Sequence, residues 1–244
     1  MRKQLFKVVK IVGIVLFVAF LGVFIYLNMS TYDPMESAND LLDSDQVEVY
    51  GDYYVVEPDG EAVANLVYYQ GGLVKAASYL PFAVSLAEEG VRVFIPKMPL
   101  NLAILNQDAF LDYEELFDDD LPVMLAGHSL GGASASLFLS GDDVLIDGLI
   151  LLASYPANSA NLSDAKYPVL SITASNDGVL DLEQYEDSKS LLPSDTVYAL
   201  ITGGNHAYFG HYGEQNGDGE ATISREEQQA EIVLLILEML DSLE

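Results

Sequence analysis

Ser129 stands at the centre of Gly127-His128-Ser129-Leu130-Gly131, with the apolar run Val123 to Ala126 leading in and the small-residue run Gly132 to Phe138 leading out. A serine in a Gly-x-Ser-x-Gly turn between a strand and a helix has its hydroxyl raised at a sheet edge, where it can attack an acyl carbon. The two glycines leave room where helix and strand crowd that turn. The amide of Leu130, at the helix N-terminus, would face the negative charge that develops on the attacked oxygen.

A hydroxyl needs a base, and besides His128 in the motif the chain offers only His206 and His211. His206 is preferred, because Thr202-Gly203-Gly204-Asn205 after the strand-like run VYALI can carry an imidazole back over the sheet edge. His211 lies further along an aromatic, glycine-rich loop and reads as support, and His128 reads as packing. The imidazole in turn needs a carboxylate to orient it and to stabilise its charged form. Asp177 comes directly after the run LSITA, 48 residues beyond Ser129 and 29 before His206. Asp181 is its nearest rival. A second amide donor is expected from Gln70-Gly71-Gly72-Leu73 after the run LVYY, either Gly72 or Leu73, although a double glycine also makes a plain tight turn.

These residues need a scaffold that delivers strand ends to one rim. Val47 to Tyr50 and Tyr53 to Glu57 read as a hairpin turning at Gly51-Asp52. After it, strands and helices alternate. Strands are expected at Leu66 to Tyr69, Val91 to Pro96, Val123 to Ala126, Leu149 to Ala153, Val169 to Ala174 and Val197 to Ile201. Helices are expected at Tyr79 to Glu89, Gly132 to Leu139, Gln184 to Leu191 and Arg225 to Leu243, with a mixed helical stretch from Leu102 to Phe117. Continuous apolar strand runs between helices imply an α/β fold, a mainly parallel sheet covered on both faces and opened by an antiparallel hairpin. Such sheets bind ligands at their C-terminal strand ends, and the candidate residues follow strands as that rule requires.

The first 31 residues are of a different kind. Arg2, Lys3, Lys7 and Lys10 precede an apolar run from Ile11 to Leu27, broken only by Tyr26, and no further charge occurs before Asp33. The run approaches the ~20 residues that span a bilayer, and the basic flank places the N-terminus in the cytoplasm. A cleaved signal peptide is the alternative, but the exit at Ile25 to Met29 is a poor cleavage site. The expected organisation is a single-pass anchor over residues 1–29, an acidic stalk over 30–45 and one extracytoplasmic domain over 46–244.

That outer part carries six basic residues against all 38 acidic ones, a balance of −32, which argues against nucleic-acid binding. The charge is read as a solubility surface. Cysteine is absent, which excludes a thiol nucleophile, disulfides and a cysteine metal site. No metal or organic cofactor is required by the chemistry above.

The segments GHSLGG, YYQGG, SND, PKMPLN and GGNHAYFGHYGEQNGDG together resemble the alpha/beta hydrolase fold-5 family, over Val47 to the C-terminus. The elbow is shared by the whole superfamily, whereas PKMPLN and the glycine-rich stretch after His206 are more particular to this family. The resemblance implies a sheet of the alpha/beta-hydrolase type and roles for Ser129, Asp177 and His206 as nucleophile, acid and base, with Leu130 and Gly72 or Leu73 as oxyanion donors. One departure is Gln70, where many relatives have histidine or proline. Only about 13 residues lie between the strand ending near Ser154 and the next near Pro168, too few for a large lid. An open site lined by Leu73, Tyr155, Tyr208 and Phe209 is expected, with a small-molecule acyl substrate. Acyl transfer to a cell-envelope acceptor and a catalytically silent binding module are the competing readings.

Overall fold

The computed structural model describes residues 2–118, 120–142 and 144–243. The chain divides into two compact units, Met1–Thr31 and Tyr32–Glu244. The first is the single helix α1 (Arg2–Met29). Its window Val12–Met29 has a mean hydropathy of 2.4 and is not buried against protein, so α1 is long and apolar enough to be a membrane span or a signal sequence.

The second unit is an eight-stranded α/β sandwich. Its strands are β1 (Val47–Val49), β2 (Tyr53–Val56), β3 (Ala64–Tyr69), β4 (Val91–Pro96), β5 (Val123–His128), β6 (Gly148–Leu152), β7 (Val169–Ala174) and β8 (Val197–Ile201). Spatial order runs β1-β2-β4-β3-β5-β6-β7-β8. The β1–β2 and β2–β4 pairings are antiparallel, and every later pairing is parallel. Strands β3 and β5 lie at the centre, buried on both sides, as their unbroken apolar runs require.

Alternation along the strands splits the core into two layers. Leu66, Tyr68, Met124, Ala126, Ile150 and Leu152 face one side, where α3 (Leu80–Glu88) and α6 (Arg225–Asp241) cover them. Val67, Tyr69, Leu125, Leu149 and Leu151 face the other, under α4 (Leu130–Gly141) and a 3-10 run over Ala109–Leu116. A short helix, α5 (Leu182–Ser188), follows β7. Helix α6 begins with a capping box between Ser224 and Glu227 and lays Ile232, Val233, Ile236, Met239 and Leu240 on the sheet.

Two segments differ from the expectations above. The stretch from Leu102 to Phe117 is not a regular α-helix but two 3-10 runs, Ala103–Leu105 and Ala109–Leu116, because its irregularly spaced apolar residues give no continuous stripe. The expected stalk is docked rather than extended. Tyr32 bridges to Val74, its N–H donating to the Leu73 carbonyl at 2.7 Å, and the Met35 N–H donates to the His211 carbonyl at 2.8 Å. Ala38 of α2 (Glu36–Asn39) is fully buried, with Leu41 and Leu42 packed beside it. The apolar anchors of this segment are too few to outweigh its acidic composition when read as sequence.

Ile236 is completely buried at the centre of the α6 contact. Replacing Ile236 with alanine should lower the unfolding free energy by about 2–5 kcal/mol, from lost burial and the cavity left behind, and urea denaturation measures it.

Candidate active site

The elbow is built from three backbones in near contact. A Cβ on Gly127 would lie 2.4 Å from the Gly131 carbonyl carbon, and one on Gly131 only 2.2 Å from the Tyr69 carbonyl oxygen. Only glycine fits at either position. Between them Ser129 adopts φ 52° and ψ −119°, a conformation that costs a serine about 1–3 kcal/mol and persists because its surroundings hold it. Its N–H donates to the Leu152 carbonyl at 2.9 Å, and its carbonyl accepts from the Ser154 hydroxyl at 2.6 Å.

Asp177 sits in the turn after β7, its side chain completely removed from solvent. Oδ1 accepts the amides of Val179 and Leu180, both at 2.8 Å. Oδ2 meets Nδ1 of His206 at 2.8 Å. A carboxylate so loaded can only accept from the imidazole, which places the ring proton on Nδ1 and leaves the Nε2 lone pair free. His206 and Ser129 line the same cavity, about 340 Å³ in volume, together with Leu130, Ala133, Tyr155 and Leu180. The cavity wall is mostly apolar and carries one acid, Asp181, whose Oδ1 also caps α5 through the Gln184 N–H at 3.1 Å.

The loop that carries His206 is suspended from α6. Gln228 pairs with the main chain of Asn205 in both directions, each at 3.0 Å. Arg225 donates to the Ala207 and Gly210 carbonyls and stacks over the Tyr208 ring at 4.2 Å. Asp218 reaches the same loop, accepting from the N–H groups of His206 at 3.2 Å and Ala207 at 2.8 Å. Asp218 escaped the sequence reading because it is one acid among 38, although it lies inside the glycine-rich segment that carries the family resemblance.

In the loop after β3, the Gly71 N–H donates to the Tyr79 hydroxyl at 2.9 Å, and the Leu73 N–H to the Asn101 carbonyl at 2.7 Å. Leu73 is therefore not the spare donor, and the Gly72 amide has no acceptor among the described residues. A Cβ on Gly72 would lie 3.1 Å from the Leu130 side chain, so the glycine loop packs against the residue that follows Ser129. Gln70 is buried and knits this loop, donating to the Val74 carbonyl at 2.6 Å and accepting from the Met98 N–H at 3.3 Å.

Of the expected lining residues, Tyr155 lines the cavity, while Leu73, Tyr208 and Phe209 do not. The 3-10 turn Ala207–Phe209 directs its rings inward. Phe209 is buried and stacks on His128 with centroids 5.4 Å apart, and Tyr208 is taken up by Arg225. His211 is also buried, between the Ser37 hydroxyl and the Gln229 side chain. Among the described residues no group of three His, Asp or Glu side chains is gathered as a metal site.

Residues 65–230 match the model of the alpha/beta hydrolase family, and the chain belongs to that family. No curated protein matches its sequence. Among solved structures, Est1E from Butyrivibrio proteoclasticus shares 16% identity at a TM-score of 0.57, covering 80% of this chain and 98% of that one. Acyl-protein thioesterase 2 from Zea mays shares 15% identity at a TM-score of 0.59, covering 78% of this chain and 100% of that one. MGS-MChE2, an alpha/beta hydrolase enzyme from the metagenome of lagoon sediments at Mar Chica, Morocco, shares 24% identity at a TM-score of 0.56, covering 81% and 99%. At these identities the likeness is one of fold, and together with the family match it supports a hydrolase.

His128 packs its ring 4.6 Å from that of His206 and meets the Tyr79 hydroxyl through Nδ1 at 2.9 Å. Burial, and then the neighbouring His206, push its pKa well below the ordinary histidine value, so it stays neutral in the folded protein. In the unfolded chain it takes up a proton below pH ~6.5, which stabilises that state as pH falls. The stabilising effect of keeping His128 neutral is therefore complete above pH ~6.5 and is lost progressively as pH falls below it. Thermal unfolding at pH 7 and pH 5 should show a smaller acid loss of stability in His128→Gln than in the parent protein.

Proposed function

We propose that the protein is a serine hydrolase that cleaves an ester or similar acyl bond, with Ser129 as nucleophile, His206 as base and Asp177 as the acid that orients it. The observation that carries this reading is the pairing of Asp177 with Nδ1 of His206 at 2.8 Å while His206 shares a cavity with the strained Ser129. With its proton held on Nδ1, the imidazole accepts the Ser129 hydroxyl proton at Nε2 as Oγ bonds to the acyl carbon. The carbonyl electron pair moves to the oxygen, where the amides of Leu130 and Gly72 stabilise it. Collapse of this intermediate breaks the bond to the leaving group, which takes the proton from His206 and departs. Water, deprotonated by the same imidazole, then releases the acid and restores Ser129.

The cavity of about 340 Å³, with its apolar wall, suits a short acyl group. The esterase and thioesterase among the structural neighbours make short esters and thioesters the first substrates to assay. Helix α1 would anchor the enzyme to the cell membrane, and its basic flank would place the catalytic domain on the outer side.

A fluorophosphonate probe should label the detergent-solubilised chain, and Ser129→Ala should abolish labelling. The same substitution should lower hydrolysis of p-nitrophenyl acetate by at least about 10³-fold. Folded protein that neither labels nor hydrolyses any of a panel of short esters and thioesters would instead favour a silent binding module.

A further inference from the structure

The pairing of Asp177 with His206 joins two loops that follow different strands, β7 and β8. A third loop grips the main chain beside both partners. Asp218 Oδ1 accepts from the N–H of Gly178, next to the acid, at 3.1 Å. It also accepts from the N–H of His206 itself at 3.2 Å and from Gly219 at 2.9 Å. Oδ2 takes the Ala207 N–H at 2.8 Å. All four partners are backbone donors, and an ionised carboxylate meeting such donors makes hydrogen bonds roughly twice as strong as neutral ones.

The surrounding backbone is interlocked to the same end. A Cβ on Gly178 would lie 2.5 Å from the Gly217 carbonyl, and one on Gly219 would lie 2.1 Å from the Asn176 carbonyl. Asn176 donates to the Glu220 carbonyl at 2.7 Å, and Asn205 to the Gly219 carbonyl at 2.8 Å. The loop around Asp218 thus lies against the residue before Asp177, the residue after it and the residue before His206.

We propose that Asp218 is the positioning residue of the site, setting the register of the acid loop against the base loop so that His206 is held at working distance from Ser129. It acts through the backbone of His206 and touches no reacting atom. This rests on the triad reading. Displacing a catalytic group by about 1 Å can cost ~10²-fold in rate, so its loss should appear in turnover rather than in binding.

The test compares Asp218→Asn and Gly178→Ala with the parent in the full, detergent-solubilised chain, using p-nitrophenyl acetate and a fluorophosphonate. Asparagine replaces one accepting oxygen by an NH2 group that repels the amides it faces. Alanine pushes the two loops apart without altering charge. Each variant should lower kcat about 10- to 100-fold, with KM within about threefold of the parent and probe labelling slowed in parallel. Unchanged kcat per folded molecule in both variants, even with a lowered melting temperature, would reduce Asp218 to a structural loop closure and overturn the proposal. A raised KM at constant kcat would overturn it too, since the loop would then be shaping the substrate cavity. If only one variant folds, its kcat decides. A parent chain that fails to label and to hydrolyse would remove the triad reading and this inference with it, whereas an active parent with indifferent variants removes this inference alone.

Discussion

One hydrogen bond, between a carboxylate hidden from solvent and the Nδ1 of His206, is the interaction on which the rest of the site depends. A buried carboxylate is costly unless its oxygens are satisfied. Here the amides of Val179 and Leu180 satisfy one oxygen, leaving the other with a single partner and a defined direction. The imidazole inherits that direction, so its free nitrogen has one place to go. Loops after two neighbouring parallel strands must therefore arrive in register, and much of the molecule outside the sheet is devoted to that task.

The elbow solves a different problem, that of crowding. Strand β5 enters and α4 leaves within one residue, and the backbone of the adjacent strand β3 passes close enough to forbid any side chain at Gly131. The helix start that results gathers unsatisfied amides beside Ser129. The Tyr79 hydroxyl ties the neighbouring glycine loop to His128, the residue just before Ser129, so glycine loop and elbow share a support. Gln70 tightens the same loop from within.

Much of this was legible in the sequence because sharp signals coincide with strand ends. Val91–Pro96, Val169–Ala174 and Val197–Ile201 are apolar runs bounded by glycine, proline or polar turns, and they are strands over those same residues. Ser129, Asp177 and His206 each follow such a run, which is why position alone could select them. What escaped depends on tertiary contacts that leave no periodicity. Asp218 is chemically identical to dozens of solvated acids. Whether Tyr208 and Phe209 face a cavity or instead pack on Arg225 and a buried histidine is decided by a 3-10 turn too short to carry a pattern. The Leu73 amide is spent on the carbonyl of Asn101, a partner 28 residues away that no local motif announces.

Helix α6 follows every strand of the sheet in the sequence, yet Gln228 and Arg225 on its first turns hold up the loop that bears His206. During synthesis every other part of the site emerges first. In a nascent chain that has not yet reached α6, the imidazole has no foundation to stand on. The proposed activity would then be withheld from chains in which α6 has not yet folded against that loop, and switched on by its arrival.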